Sequence, residues 1–76
     1  MIVFAWSHWL RVRRRLHFPG LHDFATETEI TPQRLDAIEH GNRPDHGEAV
    51  KIARAFGALG NDFLRLLEQP DPGVRP

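Results

Sequence analysis

His8, His17, His22, His40 and His46 are the side chains of this chain best suited to proton transfer or metal binding near neutral pH. A metal site on a helix needs ligands one turn apart with an acid or third ligand in support, and no two of these histidines have that His-x-x-x-His spacing. The chain has no cysteine, so thiolate ligation is excluded too. Ser7 beside His8 and Asp45 beside His46 come nearest to a catalytic pair. Adjacent residues on a helix diverge, however, and neither pair has a third group to orient it. No glycine-rich loop follows a strand pattern. The expectation is a protein with no catalytic residue, no metal and no cofactor.

The 76 residues allow one domain with a small core, and without cysteines no disulfide can reinforce it. Packing, helix caps and self-association are the means left to stabilise it. Ten basic and ten acidic side chains give a formal charge of zero, which favours neither nucleic acid nor a membrane surface. Their distribution is uneven. Arg11, Arg13, Arg14 and Arg15 precede the first acid, Asp23, after which Glu27, Glu29, Asp36 and Glu39 follow closely. The arginine run reads equally well as a solvated helical face. Ile2 to Trp6 is apolar but has no basic residue before it and is interrupted by Ser7 and His8, so neither a signal peptide nor a membrane span is expected. The location expected is cytoplasmic, with no membrane partner.

Glycine and proline punctuate the chain at intervals that suit short helices. The first helix runs to about His17, because Phe18 precedes Pro19 and that position disfavours helical geometry. Trp6, Leu10 and Arg14 share one of its faces, and Trp9, Val12 and Leu16 another; residues 2 to 5 fit either the helix or an arm. A second helix, about 20–28, turns Leu21, Phe24 and Ala25 inward. Thr31 as cap and Pro32 at the first helical position open a third, about 32–40, with Leu35 and Ile38 as core residues and Gly41 at its stop. Asp45 and Glu48 have capping-box spacing before Ala49, Val50, Ile52, Ala53 and Phe56. Gly57 and Gly60 then close the fourth helix. Asn61 is placed to cap a fifth, containing Phe63, Leu64, Leu66 and Leu67 and stopping before Pro70. The expected organisation is an all-α, five-helix domain over 1–69 with a flexible tail over 70–76.

Residues Leu10 to about Leu67 resemble the Cro and lambda repressor type of helix-turn-helix family. The resemblance rests on Phe24-Ala25, on Ile30-Thr31-Pro32-Gln33-Arg34-Leu35, on Ile38-Glu39-His40-Gly41-Asn42-Arg43-Pro44 and on Lys51-Ile52-Ala53-Arg54-Ala55-Phe56-Gly57, in one ungapped register. It implies that Ala25, Ile30, Leu35 and Ile38 clasp the second and third helices together. It also implies a structural ion pair between Arg14 and Glu39. The chain departs from the family pattern at Phe18, Gly20, Leu21, Glu29 and Ala37. Glu29 stands where a turn glycine is usual, in a position that often needs a left-handed backbone.

What the resemblance implies for function is a DNA-binding transcriptional regulator, expected to be a repressor, whose third helix enters the major groove of double-stranded operator DNA. Pro32, Gln33, Arg34 and Ala37 would then face bases, Gln33 suited to adenine, Arg34 to guanine and Ala37 to a thymine methyl group. Thr31, His40, Asn42 and Arg43 would hold the phosphate backbone. A homodimer is implied, since one module reads too few base pairs, with Phe63, Leu64 and Leu67, or Phe4, Trp6 and Trp9, as interface candidates unless they are core. The competing expectation keeps the fold and discards DNA: a protein-protein interaction module, antitoxin-like or cytoskeletal-adaptor-like. Acids on the second and third helices, neutral net charge, Leu21 and Ala37 favour it.

Overall fold

A computed structural model describes residues 4–69 as an all-α fold. Its helices are α1 (Ala5–His17), α2 (Leu21–Thr28), α3 (Pro32–Glu39), α4 (His46–Ala55) and α5 (Gly60–Glu68), with a short 3₁₀ turn at Gly57–Leu59 and no strand among the described residues. The tail expected over 70–76, and residues 1–3 of the expected 1–69 domain, lie outside the described residues. Among those described, no helix is long and apolar enough to cross a membrane.

Local signals set most boundaries. Phe4 is extended and the helix starts at Ala5; residues 2 and 3 of the stretch read as helix or arm lie outside the described residues. The helix carries Arg14, Arg15 and His17 in its last turn, where positive charge suits the C-terminal dipole, and it ends at Phe18 before Pro19. Thr31 caps α3 by accepting from the Arg34 amide at 3.3 Å. At the other end, the Gly41 amide donates to Ile38 O and the Asn42 amide to Ala37 O, both at 3.0 Å, with Gly41 at φ 107°. That pair of bonds is a Schellman stop, and its left-handed residue is glycine. Glu29, ending α2, also turns left-handed at φ 59° and ψ 31°, a conformation that costs a side-chain-bearing residue about 1–2 kcal/mol.

The core gathers Trp6 and Leu10 of α1, Phe24 and Ala25 of α2, Ile30 of the turn, Leu35 and Ile38 of α3, Ala49, Ile52 and Phe56 from the α4 region, and Phe63 and Leu67 of α5. Of the two apolar lines on α1, only the one through Trp6 and Leu10 is buried. Val12 and Leu16 of the other remain 44 % and 68 % exposed, while Trp9 reaches back to meet Phe56 edge-on at 5.1 Å. Trp6, Phe63 and Leu67 are fully committed to the core, and Phe4, Trp9 and Leu64 pack against it half-buried. All six side chains thus belong to this core or pack against it.

Asn61 does not cap α5. The helix begins two residues earlier than that cap would place it, at Gly60, with Leu59 in the cap position and no side-chain cap bond. The reason is the close crossing of α4 and α5. A Cβ built on Gly60 would lie 2.0 Å from the carbonyl oxygen of Ala53, so only glycine lets the two backbones approach. Gly60→Ala is expected to destabilise the domain by about 1–3 kcal/mol, because backbone cannot yield as a side chain does. Gly47→Ala, whose new Cβ meets only an Asp45 oxygen at 3.4 Å, is the control expected to be neutral or better; urea denaturation of both variants measures the difference.

Candidate nucleic-acid interface

The outward side of α3 is set by what its inward side must bury. Leu35, Ile38 and Glu39 face the protein, which turns Gln33, Asp36, Ala37 and His40 away from it at spacings of three and four. Thr31, Gln33 and His40 are exposed, and Pro32 and Ala37 half-buried. Gln33 and Asp36 share a shallow depression with Leu21, His22 and Pro32, so the first turns of α2 and α3 form one surface. Asn42 and Arg43, just beyond the helix, are exposed as well.

The mount beneath this surface is the pair Arg14–Glu39. Arg14 Nε donates to Glu39 Oε2 and Nη2 to Oε1, both at 3.0 Å, with the side chains only 11 % and 5 % exposed. Arg14 Nη1 also donates to Pro19 O at 3.1 Å and Phe18 O at 3.4 Å. One guanidinium therefore ties the end of α1, the loop into α2 and the last turn of α3.

Arg34 stands differently from its neighbour Gln33. Its side chain leans toward α4, where Nε donates to Glu48 Oε2 at 2.7 Å and Nη2 to Oε1 at 2.9 Å; Nη2 also donates to Arg43 O at 3.2 Å. Arg34, expected to project outward, forms this intramolecular bridge while its side chain stays 37 % exposed. The Arg34 hydrogen bond is the main cause holding the Glu48 carboxyl below its ordinary pKa, assisted by the Asp45 amide and by Lys51. Arg43 Nη2 donates to Leu67 O on α5. His40 Nδ1 lies 2.7 Å from Asp36 O and 3.5 Å from Asp36 Oδ1. Asp23, Glu27, Glu29 and Asp36 are all exposed on or beside the same helical pair.

So α3 presents together Thr31, Gln33, Ala37 and His40, with Asn42 beside them, and holds Arg34 back. Sequence reasoning gave Glu48 only its local capping role. The box is present, Glu48 N–H donating to Asp45 Oδ1 at 2.8 Å and Asp45 N–H to Glu48 Oε1 at 3.0 Å, yet the same carboxylate also takes Arg34. The one available signal was that the i+3 acid of a capping box keeps a free oxygen. No metal-ligand cluster of three or more residues occurs among the described residues. No family model, curated protein or solved structure matches the chain.

Arg14→Ala is expected to cost about 3–5 kcal/mol, since it leaves the Glu39 carboxylate buried and unpaired; urea unfolding at neutral pH measures it. The Glu48 carboxyl has the opposite exposure to pH from a raised group. A carboxyl lowered in the folded state stabilises fully above its unfolded pKa, near the ordinary glutamate value of 4.5, and that contribution disappears as pH falls through the lower folded value. Glu48→Gln should therefore lose less stability than the wild type on acidification below that point, with the gap between them constant at higher pH.

Proposed function

We propose that the chain is a sequence-specific DNA-binding transcriptional regulator that presents α3 to the major groove of operator DNA. The observation that carries this is Gln33, an exposed amide at the N-terminal end of a helix whose opposite side is fixed by a buried ion pair. A helix of this kind enters the groove by its N-terminal residues, and a glutamine there can pair with adenine N6 and N7. Thr31 at the cap and Asn42 beyond the Schellman stop are exposed hydroxyl and amide groups suited to phosphate. Ala37, one turn after Gln33, offers a methyl contact to thymine. One such helix covers too few base pairs to find a site, so two copies on paired half-sites are part of the proposal, with repression as its expected output. No catalytic group, metal or cofactor is assigned.

A protein-protein interaction module is the second reading. The observation favouring it is the set Asp23, Glu27, Glu29 and Asp36, all exposed around α2 and α3, since acids beside phosphate weaken binding. Selection of bound duplexes from a random pool at low salt separates the two. A DNA reader enriches a motif, and Gln33→Ala relaxes preference at one position, losing about 1–3 kcal/mol on the selected site. A protein module enriches nothing.

A further inference from the structure

Arg34 and Gln33 are adjacent in the first turn of α3, yet only Gln33 is free. Nη2 of Arg34 has two hydrogens, and Glu48 Oε1 and Arg43 O take both. The end-on fork that would grip guanine N7 and O6 is therefore one donor short. The bridge is supported from the α4 side, because the capping box holds the Glu48 carboxylate through the Asp45 amide independently of Arg34. It is not sealed, however: the Arg34 side chain is 37 % exposed and Glu48 18 %, in contrast to the buried Arg14–Glu39 pair. An ion pair open to solvent can exchange partners at small cost.

We infer that Glu48 is a specificity-determining residue: by holding the Arg34 guanidinium on α4 it withholds a guanine- and phosphate-gripping group from α3, leaving base recognition to Gln33. This rests on the DNA-binding reading above. Glu48 touches no nucleic acid and acts through Arg34, so it is a positioning residue.

The test is a double-mutant cycle with the full chain: wild type, Glu48→Gln, Arg34→Ala and the double variant. Each is put through the random-pool selection, and each is titrated by fluorescence anisotropy against the duplexes selected for the wild type and for Glu48→Gln, at several salt concentrations. Gln at 48 can still accept from the Asp45 amide, so the cap survives, and circular dichroism checks the fold. Glu48→Gln is expected to enrich a guanine absent from the wild-type motif and, on the duplex carrying that guanine, to bind about tenfold more tightly than the wild type does, the size of one good bidentate contact. Its log–log salt slope should steepen by about one, the sign of an added phosphate contact. Arg34→Ala alone should change affinity by less than about threefold, and in the double variant the tenfold gain should vanish.

An equal gain with and without Arg34 overturns the inference, because it would mean only that a negative charge had been removed. So does a wild type that binds while Glu48→Gln binds no better, or an Arg34→Ala loss of about tenfold, which would mean Arg34 already reads DNA. If Glu48→Gln does not fold, the Arg34→Ala measurement alone decides. Failure of wild type and Glu48→Gln alike to bind any duplex instead removes the DNA-binding reading itself.

Discussion

A guanidinium and a carboxylate buried between α1 and α3 govern where every exposed group of α3 points. Arg14 and Glu39 meet in a two-bond fork almost out of solvent. Charges so placed are tolerated only because each satisfies the other, and Arg14 uses its remaining donor on the carbonyls of Phe18 and Pro19. Apolar residues could fill the same space with no loss of stability. What they would lack is direction, since a fork fixes rotation about the helix axis where a greasy contact allows sliding. With Glu39 pinned, Gln33 and Ala37 must face away.

The far end of α3 is held by a pair of the same chemistry in another environment. Arg34 and Glu48 join its first turn to the first turn of α4, again by two bonds, but with solvent at hand. The buried bridge at the C-terminal end gives orientation, and the open one at the N-terminal end gives a choice of partners. Further from the surface, Gly60 lets α5 seat against the Ala53 carbonyl, which brings Leu67 within reach of Arg43 and extends the support to the loop after α3. The site is thus framed by contacts from α1, α4 and α5, though its exposed groups come from one helix and its flanks.

Features decided within four residues could be read from the chain alone. Thr31-Pro32 opens a helix, Gly41 closes it, and Asp45 with Glu48 opens the next, because each forms bonds to its own backbone. The α1 periodicity located the buried line but not the exposed one: Trp9, Val12 and Leu16 satisfy the same spacing, and which line is covered depends on how α1 packs against α3 and α5. Asn61 failed as a cap for a similar reason. Its local chemistry is favourable, but the backbone contact at Gly60 starts the helix earlier. Arg34 was the least readable of all, since its partner lies fourteen residues on, at a distance set by how α3 and α4 pack. Side chains whose role depends on such packing are the ones sequence patterns misplace.

The charges around α3 then bear on what kind of recognition it can support. Arg14 and Arg34 are paired, Arg43 donates to Leu67, His40 lies against Asp36, and the exposed side chains nearby include four acids. Counterion release from phosphate, the sequence-independent share of DNA affinity, scales with the cations a protein can offer. A surface that spends its cations internally forgoes much of that share. In the proposed DNA-binding role the discriminating share would come from base edges and be carried by neutral donors and acceptors such as the Gln33 amide, so it would be spared. Weak attraction to any duplex combined with intact readout would lower both affinities and leave the ratio of specific to nonspecific binding unchanged, and that ratio is what the proposed regulator would need among many competing sites.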